Sequence, residues 1–109
     1  MKKFTSNYVY SQETGLIRFG VIQVDENVGL KVIDTGGEMK EIASLEFHSG
    51  ILIVGEISEM NFASLLNEKS SFEDLFKLID NERNTVSLLS NIDFENKCLK
   101  QDSRLKRIL

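Results

Sequence analysis

The stretch FHSGILIVGEISEMNF, Phe47–Phe62, decides the fold of this chain. The residues just before and at its start, Leu45–His48, alternate between apolar and polar side chains, which is typical of a strand with one buried face. The run Ile51–Val54 is continuously apolar and predicts a strand covered on both faces. Gly50, between the two parts, indicates a bulge or a tight bend.

The residues before this stretch also predict strands. Asn7–Ser11 is β-branched and aromatic, as a short strand should be, and Leu16–Glu26 has the same character. A short loop rich in Asn and Gly, Asn27–Gly29, leads into a further apolar run from Leu30, so the pair reads as a hairpin. Gly36–Gly37 then breaks the run.

The residues after the stretch predict two helices. A shorter pattern over about Asn61–Glu68 precedes a second helix, for which Ser70 and Glu73 have capping-box spacing and make Ser70 the expected N-cap. Each helix is predicted from one stripe of apolar residues at helical spacing. The first stripe is Phe62, Leu65 and Leu66, and the second is Phe72, Leu75, Phe76 and Ile79. We interpret both stripes as core packing; a partner-binding groove would need one of them left uncovered.

The C-terminal part returns to strands. Thr85–Asp93 is a strand candidate, Lys97–Lys100 is compatible with a short strand, and Ser103–Leu109 with either a strand or a frayed helix. Its basic cluster is read as a solvated tail, with contact to a phosphate or an acidic partner as the alternative. The cluster comprises Lys97, Lys100, Arg104, Lys106 and Arg107.

Composition bounds the class of protein. A chain of 109 residues with 41% hydrophobic and 28% charged residues predicts one soluble domain. A net charge of -4 argues against nucleic acid as the main partner, and no apolar run is long enough for a membrane span. The opening MKKFTSNYVY lacks the apolar run of a secretory signal, and the single Cys98 fits a reducing compartment. We therefore expect a cytoplasmic protein.

Three segments together carry a resemblance: Asn7–Gly37, then FHSGILIVGE, Phe47–Glu56, and finally NTVSLLSNIDFENKCLKQDSRLKRIL, Asn84–Leu109. They resemble the two ends of amidohydrolase-superfamily proteins of the cytosine-deaminase and chlorohydrolase-like branch. The resemblance implies a composite β-sandwich domain, in which N-terminal strands are completed by strands that return from a metal-binding barrel. The residues between these segments, from about Ile57 up to Asn84, match nothing in that family.

The chain departs from the family where the metal site should begin. Met60 and Phe62 stand at the positions of the two metal-binding histidines that the resemblance implies, and neither side chain suits a hard or borderline cation. A (β/α)8 barrel takes about 250 residues, far more than the segment between the matching ends can supply. We therefore expect no catalytic residue, no metal ligand and no cofactor, in a barrel-less relative that is not an enzyme.

The predicted fold class is α+β: a small, mainly antiparallel, β-sandwich-like domain with a short two-helix insert. The whole chain, 1–109, is read as a single domain. Its N-terminal strands occupy 1–57, a helical bridge occupies 58–84, and the C-terminal strands occupy 85–109.

Other residues with reactive side chains give weaker signals. His48 and Cys98 are the only members of their types, but nothing around them favours a nucleophile–base pair. Glu56 and Glu59 have the spacing of many solvated carboxylates, with metal binding as the less favoured interpretation. Gly36–Gly37 lacks the residues of a phosphate-binding loop.

The expected role is therefore a non-catalytic structural or interaction module that self-associates, as a homodimer. The motive is physical: without a barrel, the sandwich surface that faces it in the family would be exposed, and exposed apolar patches usually find a partner. Two alternatives stay open, an accessory subunit that docks on a full-length amidohydrolase relative and a small-molecule-binding protein with its site between strands and helices.

Overall fold

The computed structural model describes residues 2–27, 29–38, 44–80 and 85–109. Within these ranges the chain forms seven strands and two short helices. In chain order they are β1 (Lys2–Ser11), β2 (Gly15–Arg18), β3 (Val21–Asp25), β4 (Gly29–Ile33), β5 (Leu45–Val54), α1 (Glu59–Glu68), α2 (Phe72–Lys77), β6 (Val86–Ser90) and β7 (Arg104–Arg107).

All seven strands belong to one sheet, in the order β4-β3-β1-β5-β6-β7, with β2 paired to the far half of β1. The β1–β5 pair is parallel and the other pairs are antiparallel. A mainly antiparallel sheet with two short helices confirms the predicted α+β class at this level. Because β1 and β5 are neighbours, the N-terminal strands join the C-terminal strands through β5.

The predicted strand over Leu16–Glu26 is in fact two strands, β2 and β3. The break lies at Phe19–Gly20, where Phe19 takes a left-handed φ of 51° and its N–H donates to the Asn7 carbonyl. A side chain on Gly20 would press against Ile17, since a Cβ there would lie 2.7 Å from the Ile17 Cδ1. The β3–β4 hairpin is confirmed by its register from Val21–Ile33 to Asp25–Gly29, although Val28 in its loop lies outside the described residues.

Gly50 marks a bulge in β5, as its position predicts. Ser6 pairs with His48 and Tyr8 pairs with Ile51, so β5 uses one residue more than β1 across this step. Gly50 has φ 132°, and a Cβ there would overlap the Leu89 carbonyl oxygen. Only glycine fits both the backbone conformation and the close approach of β6.

The helix boundaries differ from the predicted ones. α1 starts at Glu59, two residues earlier than expected, because the Ser58 side chain accepts a hydrogen bond from the Asn61 N–H and caps the helix. The N-cap of α2 is Ser71, not Ser70: the Ser71 hydroxyl accepts from the Asp74 N–H at 3.2 Å. Ser70 is buried instead, and its backbone N–H donates to the Leu65 carbonyl.

The second helix is also shorter than its apolar stripe. α2 ends at Lys77 with Leu78 as C-cap, so Ile79 follows the helix, although it still packs against the core. The helical bridge predicted over 58–84 is described as far as Asp80; residues 81–84 lie outside the described ranges.

Each face of the sheet has its own core. The helix-side core joins α1 and α2 to the sheet, so both helices lie on one face; its buried members are Ile51, Ile53, Ile57, Leu65, Phe72, Leu75, Leu89, Ile92 and Leu99. The strand-side core lies on the opposite face and is formed by Phe4, Val9, Ile22, Leu52 and Val86, with Ile108 and Leu109 packed against it.

The C-terminal alternatives are decided by pairing. Ser103–Leu109 contains strand β7, which pairs antiparallel with β6, so the frayed helix is wrong. The segment Lys97–Lys100 is not a strand: Cys98 makes only isolated bridges, with Ser71 and Asp93. The Cys98 N–H and carbonyl bond back to Asp93, which closes a tight loop after β6.

Candidate functional site

The strand β5 has two parts: the first half, Leu45–Ser49, is the edge segment, and the second half, Ile51–Val54, is the central segment. The edge segment pairs with β1 on one side through registers that include Lys3–Leu45 and Thr5–Phe47. On its other side, β6 pairs only with the central segment, and no other strand among the described residues pairs with the edge segment. Its outer backbone groups therefore form a free strand edge, which is a template for a further strand.

The side chains of the edge segment are more exposed than their alternation predicts. Phe47 is 49% exposed, although the pattern places it on a buried face. On the other face of the strand, the Glu46 side chain is 67% exposed and that of His48 is 28% exposed. A free edge with a large aromatic side chain at its centre is a combination that monomeric proteins usually avoid.

The imidazole of His48 contains a buried polar atom, Nε2. Its Nε2 atom is shielded from solvent and has no acceptor or donor among the described residues. The nearest carboxylate oxygen, Glu46 Oε2, lies 3.8 Å away, which is beyond hydrogen-bond distance. The ring packs at a tilt against Phe4, with centroids 5.8 Å apart, which places His48 on the face of the strand-side core.

The chain turns away at both ends of the edge segment. Ser44 adopts a left-handed φ of 61° just before β5. At the other end, β6 stops at Ser90, and Asn91 takes a φ of 55° as the chain leaves the sheet. The free edge is therefore bounded by two turns, so an added strand as long as the edge segment meets no described strand in its path.

Two of the other outer strands, β7 and β4, carry charges that discourage pairing. β7 is four residues long and exposes Arg104, Lys106 and Arg107, and β4 exposes Lys31 at its middle. Lysine and arginine on short edge strands are common protection against edge-to-edge association. The basic cluster predicted as a solvated tail thus lies partly on a sheet edge, as exposed residues of β7.

The two positions that correspond to metal-binding histidines in the resemblance lie on α1, not at a strand end. Met60 is 84% exposed and Phe62 packs against the helix-side core. Glu56 and Glu59 are exposed; Glu56 forms a backbone bridge with Asp80, and Glu59 lies in the first turn of α1. Within the described ranges no three His, Cys, Asp or Glu side chains come together as a metal group.

His48 and Cys98 are not brought together. His48 packs against Phe4 on the strand-side face. Cys98 precedes Leu99, which belongs to the helix-side core, and it bridges Ser71 beside α2. Because the sheet lies between these two faces, the only histidine and the only cysteine of the chain cannot act as a nucleophile–base pair in this conformation.

Two open grooves lie next to the helices. One, of about 260 Å³, lies between the end of β1 and α2, where Tyr10 and Phe76 stack with ring centroids 3.9 Å apart; Gln12 and Lys77 also line it. This volume is below the roughly 300–1,000 Å³ of typical ligand pockets. This shallow groove with its aromatic floor is a candidate place for a ligand site between strands and helices, one of the open alternatives.

The second groove, of about 490 Å³, opens beside the loop that follows β6 and is lined by Lys69, Asp93, Cys98 and Lys100 among others. Hydrogen bonds from the backbone N–H and then the side-chain amide of Asn96 hold the pKa of Asp93 below its usual value, and the Lys100 charge adds to this. The Asp93 carboxylate thus accepts hydrogen bonds that hold the turn from Asp93 to Asn96 together.

The edge segment is the feature that sequence reasoning missed. Its apolar–polar alternation is the same whether the outer edge is paired or free, so the pattern predicts the strand but not its neighbour. The one signal for the free edge in the sequence is Gly50. It forms a bulge with φ 132°, and β6 pairs with β5 only on the C-terminal side of this bulge.

Neither a family model, nor a curated protein, nor a solved structure was found to match the chain. In the described part of the chain, no helix is both long and apolar enough to cross a membrane.

Proposed function

We propose that this chain is a non-catalytic interaction module that associates with a second copy of itself through the edge segment of β5. One observation carries the proposal: no described strand pairs with the outer edge of Leu45–Ser49, and the half-exposed Phe47 lies at its centre. Strand addition at such an edge gains main-chain hydrogen bonds, while an aromatic side chain supplies buried area.

The edge replaces the sheet face as the contact surface. The sequence predicts self-association because an apolar sheet face would be exposed in the absence of a barrel. In the structure, however, α1 and α2 of the same chain cover the helix-side face. Leu65, Phe72 and Leu75 are buried there against Ile51 and Ile53. The apolar stripes of both helices therefore pack into the core, and the free edge is the stronger candidate for an intermolecular contact.

A barrel-less relationship to amidohydrolases is part of the proposal. It is supported by the union of the two chain ends in one sheet, since β5 pairs with both β1 and β6. A sandwich-like arrangement is supported by the strand-side core, because Phe4, Ile22 and Val86 come from different strands and bury a second face of the sheet. The alternative role, docking on a full-length amidohydrolase, would use the same edge for a different partner.

Light scattering on a sizing column tests self-association over a wide concentration range. The native chain is expected to reach the mass of a dimer, and Phe47→Asp is expected to remain monomeric, because it places a charge at the centre of the contact. Met60→Asp is the matched control: it puts the same charge on a more exposed apolar position of α1 and should leave the mass unchanged.

A native chain that stays monomeric at every concentration would overturn the proposal. So would a dimer that persists in Phe47→Asp, because its contact would then lie elsewhere. Circular dichroism of each variant shows whether the fold is kept, which separates a lost contact from a lost domain.

A further inference from the structure

We infer, on the basis of the proposed function, that two copies join through a twofold, antiparallel β5–β5 pair centred on Phe47. In this register Phe47 faces its own counterpart, and Glu46 faces His48 of the second copy. Leu45 then lies opposite Ser49. The partner is thus a second copy of this chain, and the two sheets become one continuous sheet.

The segment LEFHS is self-complementary about its middle residue. A twofold axis repeats every contact, so each Glu46–His48 pair occurs twice, once on either side of the central Phe47 pair. Residues directly opposite in an antiparallel pair share one face of the sheet, with Cβ atoms about 4.5–5.5 Å apart. A carboxylate and an imidazole at that distance are within reach of each other.

The register also accounts for the unpartnered imidazole. In the single chain, His48 Nε2 is shielded and has no hydrogen-bond partner within the described ranges, while Glu46 Oε2 of the same strand is 3.8 Å away. Antiparallel pairing brings a second Glu46 from the other copy to the position opposite His48. The His48 side chain as a whole is 28% exposed, so a rotation of its ring would let it donate to the carboxylate of the second copy.

The central pair supplies the apolar part of the contact. Phe47 is 49% exposed in the single chain and lies midway between the turn at Ser44 and the bulge at Gly50. Aromatic pairs across an antiparallel pair stabilise a sheet beyond their buried area. A register shifted by one residue would put Phe47 opposite a polar side chain and separate Glu46 from His48, so the pattern favours one register.

Complementation between two variants tests the register in trans. Glu46→Lys alone and His48→Glu alone each lose the attractive pair, so each variant should self-associate about tenfold more weakly than the native chain, since two equivalent pairs are affected. When the two variants are mixed, the lysine introduced at position 46 of one chain faces the glutamate introduced at position 48 of the other. The imidazole that remains in the first chain then faces the native carboxylate that remains in the second. Native mass spectrometry of an equal mixture should therefore find clearly more mixed dimer than the twofold excess over each homodimer that random pairing would give.

The mixing experiment distinguishes a Glu46–His48 contact between two copies from one within a single chain. Mixing does not restore the pair within either variant chain, so any gain on mixing must come from contacts between the two chains. Glu59→Lys, on α1, is the matched control for net charge and should leave the dissociation constant unchanged. If the native chain dimerises through Phe47 but mixing gives only the share of mixed dimer that random pairing predicts, the register is wrong and the proposed function stands. If the native chain is monomeric, both fail.

Disulfide trapping gives a second, independent readout. In a Cys98→Ser background, Phe47→Cys should form a dimer on oxidation with diamide, since directly opposed residues meet the spacing of a disulfide. Leu45→Cys in the same background should not cross-link with itself, because in this register it lies opposite Ser49. Efficient trapping at position 45 with none at position 47 would overturn the register even if the dimer is real.

Discussion

The two halves of β5 are one strand with two environments. The central segment has β1 on one side, β6 on the other and the helices above it, and Ile51, Leu52 and Ile53 are almost completely buried. Among the described residues the edge segment pairs with β1 alone, and Phe47 is half exposed. The comparison teaches that apolar sequence does not by itself make a core: the number of neighbouring elements does.

Gly50 separates the two halves, and its replacement should have the largest effect. Gly50→Ala is expected to lower the free energy of unfolding by roughly 2–6 kcal/mol, from the strained φ of 132° together with a Cβ that would overlap the Leu89 carbonyl oxygen. Urea unfolding measures this. Gly15→Ala is the control: its φ is also positive, at 70°, but a Cβ there meets nothing within 4 Å.

The control should cost only the left-handed backbone, about 1–2 kcal/mol. Equal losses for the two variants would mean that the close approach of β6 at the bulge has no energetic weight.

Truncation on either side of the bulge sharpens the comparison. Leu52→Ala is expected to cost about 2–5 kcal/mol, because it opens a cavity at a fully buried position of the central segment. Phe47→Ala should cost about 1 kcal/mol or less in dilute solution, where the edge segment is unpaired. Chemical denaturation of both variants at the same low concentration tests this; comparable losses would show that Phe47 is buried in the single chain.

The helix cover of the central segment depends on its caps. Ser71→Ala removes the hydroxyl that accepts from the Asp74 N–H and should destabilise the protein by about 1 kcal/mol. Ser71→Asp restores an acceptor and should recover the native midpoint of thermal unfolding. Ser70 is buried and does not cap α2. If Ser70→Ala lowers the free energy of unfolding more than Ser71→Ala does, the cap is the less important of the two serine contacts.

The smallest effect is expected in the loop after β6, whose Phe94 stacks on Tyr8 beside the central segment. The pKa of Asp93 is held below its usual value by hydrogen bonds from Asn96, so its carboxylate stabilises the fold at pH values above the unfolded pKa of about 4. This contribution disappears as the pH falls through the lowered pKa.

Asp93→Asn serves as the comparison, since an amide in its place cannot be protonated in this range. The difference in urea midpoint between the native chain and Asp93→Asn should be present at neutral pH and shrink below about pH 4. A difference that does not change with pH would show that the charge of the carboxylate has no part in holding this turn.

Local sequence patterns predicted which strands and helices form better than they predicted which of these elements lie next to each other. The β3–β4 hairpin, the buried run Ile51–Val54, the bulge at Gly50 and the two helices all follow from periodicity, turn residues and caps, and the structure contains them. The pattern did not show that Leu16–Glu26 splits into two strands, and the start of each helix was misplaced because it depends on a single hydrogen bond. Ser70 and Ser71 both precede the same stripe, and only the Ser71 hydroxyl reaches the free N–H of Asp74.

The candidate site was less predictable for a physical reason. Whether Leu45–Ser49 has a second neighbour depends on where β6 ends, and β6 lies far along the chain, beyond both helices. No local pattern carries that information. The chemical type of a side chain, by contrast, is readable at once: Met60 and Phe62 carry neither an imidazole nor a carboxylate, whatever their neighbours are.

By itself, then, the sequence determined what each segment can be: strands by alternation and β-branching, helices by apolar stripes and serine caps, and a bulge by a glycine that no other residue replaces. Tertiary structure alone decided which of these surfaces are used. The helices cover one face of the sheet, the charges of β7 protect one of its edges, and no described strand pairs with the outer side of the edge segment. Burial depends on neighbours that are distant in sequence, and only folding brings these neighbours together.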